Sequence, residues 1–279
     1  MTLTQSTTQT NKKHLSDSEL KAFVNLLNDP EEKTLALMAD QLAFFDDLSF
    51  KRIQDLTQER DDMQIIDNWL YTSKIHVTKK IKAWKQNPDL EEGLMLLARY
   101  ENPGIDVEYY KSLLDTYAQR VEDKITINNS QDEVIKAINE VLFKEEKFLG
   151  NQIDYYDVNN NFINSVIDHK TGNPIMLSAI FILVARRLGV EVFGVGTPGH
   201  FIVGFRDKFY DPFFSGREIT KDECVLRAQE LSVFWRDEYL DAIDDTFIVA
   251  RAIRNLIAIY KKNNDLDKAA ELTTLLKSL

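Results

Sequence analysis

Between Gly172 and Gly189 the chain spells a helix with no polar side. Gly172-Asn173-Pro174 sets a capping residue directly before a proline at the first helical position, where the missing N–H costs nothing. Ile175, Met176, Leu177, Ile180, Phe181, Ile182, Leu183 and Val184 then point all round the axis. A helix apolar on every side is buried, so the rest of a domain has to be built around it. Arg186-Arg187 fall in its last turn, where positive charge suits the dipole, and Gly189 ends it.

Upstream, residues 16 to 150 read as helix after helix. Ser16-Asp17-Ser18-Glu19 is a capping pattern, followed by Leu20, Phe23, Leu26 and Leu27 on one face. Asp29-Pro30 ends that helix, and a second runs from about Glu31 to Phe44. Further helices are expected at about 49–59, 62–85, 89–100, 106–124 and 131–146, with no β-rich stretch before residue 190. Downstream of the buried helix the spacing predicts short strands at about Val190–Val195, around Phe201 and around Tyr210. Helix returns beyond Ser215-Gly216-Arg217. From Phe247 to Leu279 two antiparallel helices are expected about Asn263-Asn264-Asp265, with Leu256, Ile259 and Tyr260 facing Ala269, Leu272 and Leu276.

A net charge of −11 disfavours nucleic acid and anionic lipid, both of which need a basic surface. The single cysteine, Cys224, cannot form an internal disulfide and implies no oxidising compartment. Residues 1–15 carry no apolar signal-peptide core and are expected to be disordered. No stretch approaches the ~18 apolar residues of a membrane span, so a cytoplasmic protein is expected.

Chemistry is sparse. His14 and His76 show no evident partner, and His169-Lys170 suit a helix C-terminus. No zinc spacing, phosphate loop or calcium loop occurs, so no metal or cofactor is expected. His200 follows Thr197-Pro198-Gly199, and Asp211 ends the next strand. A hairpin loop over Gly204–Asp207, with Val203 facing Lys208, sets His200 opposite Asp211 at ~5 Å, close enough for a carboxylate to orient an imidazole. A turn centred on Asp207-Lys208 instead offsets them by roughly 13 Å. Asp154-Tyr155-Tyr156-Asp157 before Asn159-Asn160-Asn161 reads either as a polar turn capping a helix over 159–168 or as a cleft wall offering hydrogen bonds to a peptide. Ser178, one turn into the buried helix, either bonds within the helix, packs on a strand or serves as a nucleophile. Cys224 lies on a helix beyond Asp211 and reads as packing.

Taken together, these segments resemble the bacterial SirB-type family of transglutaminase-like proteins with a tetratricopeptide-like tail. The likeness rests on Leu96-Leu97-Ala98-Arg99, Asp154 to Asp157, Asn159 to Ser165, Gly172 to Ile175, Leu177-Ser178, Ala185 to Gly189, Pro198 to Phe201, Asp211-Pro212-Phe213 and Gly216-Arg217, and runs from about residue 90 to 279. It implies an α+β protein: a helical region over 16–130, a papain-like core over 131–235 with the buried helix on a small antiparallel sheet, and a tetratricopeptide-like helix pair over 236–279. It also implies a nucleophile at the helix N-terminus facing a histidine on the sheet. In active transglutaminases that nucleophile is cysteine, whose thiolate the helix end stabilises. Here the matching position falls on Pro174 or Ile175, neither of which can attack a carbonyl; the family's usual Gly-x-Pro-Ile pattern shares the departure.

Three readings follow. The first is a non-catalytic module that binds a protein or peptide in a cleft formed by Asp154, Tyr155, Tyr156, Asn161, Asn173, Pro174, Ser178 and His200. In the second, His200 and Asp211 activate water as a hydrolase or amidase. In the third, that pair ties two strands of a scaffold together.

Overall fold

A computed structural model describes residues 12–29, 31–126 and 129–279; Pro30 and most of the expected disordered start lie outside the described residues. The chain divides into two compact units, one formed by residues up to Lys80 together with Arg99–Val107, the other by Ile81–Ala98 and Glu108–Leu279.

The first unit is helical. α1 (Asp17–Leu26) opens on the expected capping box, with Ser16 accepting from Glu19 and the Glu19 carboxylate reaching back to Ser16. It buries Leu20, Phe23, Val24 and Leu27, whereas Leu26 is exposed. α2 (Glu32–Gln41), α3 (Asp47–Glu59) and most of α4 (Met63–Trp84) close a core centred on Phe50, Ile53 and Trp69. Within it Arg99 pairs with the buried Asp47 at 2.8 Å and lies over the Phe50 ring. His14 and His76 do have partners: Asp46 at 2.9 Å and the Ala39 carbonyl at 3.2 Å.

α5 (Leu90–Glu101), α6 (Val107–Glu122) and α7 (Gln131–Asn139) follow, and the helix expected to reach residue 146 continues from α7 as a π-helical segment, Glu140–Glu145. Two short strands that the sequence did not announce, β1 (Leu149–Gly150) and β2 (Thr171–Gly172), pair in parallel on either side of a 3₁₀ turn (Val158–Asn161) and α8 (Ile163–His169). α9 (Pro174–Arg187) is the apolar helix, and its residues from Pro174 through Ala185 are buried. Asn173 caps it, accepting from the Met176 N–H at 2.9 Å, and Gly189 ends it with φ +67°.

Beside α9 lies a five-stranded antiparallel sheet in the order β6-β5-β4-β3-β7. Its strands are β3 (Phe193–Val195), β4 (Ile202–Phe205), β5 (Lys208–Asp211), β6 (Arg217–Ile219) and β7 (Ala242–Ile243). The sequence predicted the first three; β6 and β7 are too short to carry a period-2 signal. One sheet face packs Val195, Ile202 and Ile219 against Cys224 of α10 (Lys221–Glu230). α11 (Asp245–Lys262) and α12 (Leu266–Leu276) form the expected C-terminal hairpin. Leu256, Ile259 and Tyr260 are buried, as are Ala269, Leu272 and Leu275; Leu276 is only half-buried, so Leu275 takes its expected place in the core. Among the described residues no helix is long and apolar enough to cross a membrane.

Candidate functional site

The β4–β5 ladder settles the register. Val203 pairs with Tyr210, Gly204 with Phe209 and Phe205 with Lys208, which leaves a two-residue turn, Arg206-Asp207. Both expected registers are therefore corrected: the hairpin is tighter than the Gly204–Asp207 loop, and its turn falls one residue earlier than one centred on Asp207-Lys208. Ile202 is level with Asp211, and His200 lies two residues beyond the paired position. The carboxylate and imidazole still meet, because diagonal neighbours on one face are within reach of a long side chain. His200 Nε2 is 2.8 Å from Asp211 Oδ2.

A tight turn aims the ring. Pro198 presets one central position and Gly199, at φ +65°, takes the left-handed one, as a type II turn requires, while the His200 N–H donates to the Thr197 carbonyl at 3.1 Å. Phe213 and Phe214 stand against the imidazole with centroids 6.0 and 6.2 Å away. Burial in this aromatic setting lowers the histidine pKa, and the Asp211 carboxylate opposes that shift. Asp211 is fully buried and its Oδ1 has no partner among the described residues.

His200 forms part of the wall of a cleft of about 390 Å³ at the N-terminal end of α9. Five of the eight residues expected to form a cleft line it: Tyr155, Tyr156, Asn173, Pro174 and His200. Ile175 lines it too, so both positions matched to the missing nucleophile border the same space as the imidazole. The other three stand outside the wall. Asp154 is exposed. Ser178 is fully buried, its hydroxyl turned to the Phe201 carbonyl at 3.4 Å. Asn161 is buried behind the wall, where its Oδ1 accepts from Asn173 and Asn255 at 2.5 and 2.6 Å. Cys224 lies in the core under the sheet rather than in the cleft, and burial pushes its thiol up to about 11, so it is neither exposed nor ionised.

Gly199 and Phe201, the neighbours of His200, also line the cleft, and Arg251, Arg254, Asn255 and Ala258 of α11 form its remaining wall; none of these was expected there. The α11 residues, spaced by three, four and seven, mark one helical face, opposite in character to the apolar face that packs on α12. Arg251 donates to the Thr197 and His200 carbonyls at 2.9 and 2.7 Å, so it also braces the turn carrying the imidazole. Gly196 lets it approach: a Cβ there would lie 2.8 Å from the guanidinium.

Comparison with known proteins identifies the architecture. A family model described as the transglutaminase-like superfamily matches residues 108–254, more than half of the chain. The chain belongs to that superfamily. Among curated relatives, UPF0162 protein of Xylella fastidiosa (strain 9a5c) is 33% identical over 186 residues, covering 63% of this chain and 66% of that protein. The match thus spans just under two thirds of the relative's length. UPF0162 protein of Vibrio cholerae is 24% identical over 171 residues, 58% of this chain and 63% of the relative. F-box only protein 21 of Mus musculus is 25% identical over 241 residues, 72% of this chain but 38% of that protein. No solved structure matches the chain. Among the described residues no group of three or more His, Cys, Asp or Glu side chains could hold a metal ion.

Proposed function

We propose that this protein is a non-catalytic, SirB-type member of the superfamily that binds a peptide segment of a partner protein in the cleft beside α9. In this reading the C-terminal pair α11–α12 is a tetratricopeptide-like hairpin that supplies one wall of the cleft, and the protein works in the cytoplasm without nucleic acid. One observation carries the reading: the space that His200 borders is walled by Pro174 and Ile175, side chains with no nucleophilic atom, while the only sulfur nucleophile is buried elsewhere. Amide hydrolysis without a metal or covalent nucleophile would leave the whole task to a general base, and only 6% of His200 is exposed. The aromatic and apolar lining with a few polar groups is the usual make-up of a ligand pocket.

The test is to fill the cleft without disturbing the core. Ala258 is exposed and lines it, so Ala258→Trp should leave the melting temperature unchanged while partners captured by the wild-type chain are lost. Capture of the same partners by both chains would overturn the reading. So would turnover of an amide library that His200→Ala abolishes, which would instead support a hydrolase or amidase acting through His200 and Asp211.

A further inference from the structure

The wall that α11 contributes is cationic in a protein of net charge −11. Arg251 and Arg254 line the cleft, and no Asp or Glu does. Each guanidinium lacks a carboxylate partner among the described residues, although the chain pairs most of its other arginines with acids, as at Arg186, Arg187, Arg206 and Arg217. Arg251 bonds two backbone carbonyls and lies over the Phe201 ring, and Arg254 is exposed. One turn beyond Ala258 on the same face, Lys262 lies over the ring of Tyr156, another residue of the wall, and it too has no acidic partner among the described residues. Positive groups held together without counter-charges, in a cleft with apolar walls, focus a potential that favours an anion.

The helix end adds to this. Pro174 has no N–H, and Asn173 takes those of Met176 and Leu177 through its side chain and carbonyl. That leaves the Ile175 N–H as the first-turn donor without a partner among the described residues, in the same wall. A planar carboxylate suits a guanidinium, which grips two oxygens at once, and the Tyr155 and Tyr156 rings offer flanking apolar surface. Burial raises the Tyr155 hydroxyl pKa, so it stays protonated and able to donate.

We infer that the peptide bound in this cleft presents a carboxylate, from a Glu or Asp side chain or from a free C-terminus, to Arg251 and Arg254. This inference rests on the peptide-binding reading above and narrows it to one ligand chemistry.

A four-arm selection tests it on the full chain, using random seven-residue peptides. In one arm a central Glu is fixed and the C-terminus amidated; in the second the C-terminus is free and acidic side chains are absent; the third is neutral and amidated; the fourth carries a central Lys and is amidated. The first or second arm should enrich about tenfold or more over the third and fourth, and whichever does identifies the source of the carboxylate. The preference should vanish in Arg254→Glu, whose exposed side chain has no structural bond to lose, and in Arg251→Met, with thermal melting confirming that both fold. Equal enrichment of all four arms, abolished by Ala258→Trp, would overturn the carboxylate inference and leave peptide binding standing. Acid selection that survives both arginine substitutions would also overturn it. Enrichment in no arm would remove the peptide-binding reading itself.

Discussion

Arg186 grips Asp245 with both terminal nitrogens, Nη1 at 2.9 Å from one carboxylate oxygen and Nη2 at 2.6 Å from the other. The pair ties the last turn of α9 to the first turn of α11, two helices whose opposite reaches line the cleft. Asp245 also accepts from the Leu90 N–H at 2.9 Å, so it serves two partners where Arg186 serves one. Because the guanidinium is 40% exposed, solvent screens the pair. Arg186→Ala should cost about 1 kcal/mol and Asp245→Ala about 2 kcal/mol. Urea unfolding checks both values, and equal losses would show that the Leu90 bond contributes nothing.

The first unit carries an acid-sensitive group. His76 is buried and its pKa is lowered to about 4, chiefly by burial and then by the positive charge of Lys80, while the Ala39 carbonyl opposes the shift. An unfolded histidine titrates near 6.5. Between those values the unfolded chain binds a proton that the folded chain refuses, so stability falls as pH drops from about 6.5 to about 4 and levels below. The slope reaches about 1.4 kcal/mol per pH unit. His76→Gln removes the titration, and its urea midpoint should change less over that range than that of the wild type. A residual slope of the same sign is expected from His200, whose pKa is also lowered.

What the sequence made legible tracks how local each signal is. The capping box at Ser16, the Asn173-Pro174 start and the Gly189 stop of α9 are set by neighbours within a turn, and each formed as read. The helix-rich class followed from the same periodicities, while the small antiparallel sheet was implied by the family resemblance. The β4–β5 register was not legible, because sliding one arm of a hairpin by two residues changes neither its composition nor the face each side chain takes; the observed Val203–Tyr210 pairing goes with the two-residue Arg206-Asp207 turn. The α11 wall of the cleft was hidden for a related reason. Tyr155, Tyr156, Asn173, Pro174 and His200 come from segments with turn and cap chemistry, which attract attention. Arg251 and Arg254 sit in a regular helix where charged residues read as a solvated face, and only the tertiary fold brings that face to His200.

Gly199 fixes where the imidazole points. Its φ of +65° lies in the left-handed region, and a Cβ there would meet Leu231 Cδ1 at 2.4 Å. The leucine is half-exposed and can swing away, so the conformational term dominates, at roughly 1–2 kcal/mol for an ordinary side chain. Gly199→Ala should lose about that much in chemical unfolding, Gly199→Asn less, since asparagine tolerates the region, and Gly199→Val most. Adding Leu231→Ala should recover only a small part of the alanine loss. Full recovery would show that the clash, not the backbone, sets the cost.

Asn161 holds two walls of the cleft with one atom. Its Oδ1 accepts from Asn173, which caps α9, and from Asn255, which lies on α11, and the side chain is fully buried. Asn161→Ala strands the buried Asn173 donor, at about 1–3 kcal/mol, and leaves the half-buried Asn255 amide in the cleft wall to turn to water. Asn255→Ala strands no buried donor, because it removes the partner's side chain and leaves Asn161 Oδ1 still bonded to Asn173. Asn161→Ala should therefore destabilise the chain by about 2–4 kcal/mol and Asn255→Ala by about 1 kcal/mol. A double-mutant cycle on urea unfolding reads the coupling between the two residues. Equal single losses would mean that the shared acceptor does not organise the cleft, and that α9 and α11 keep their places through apolar packing alone.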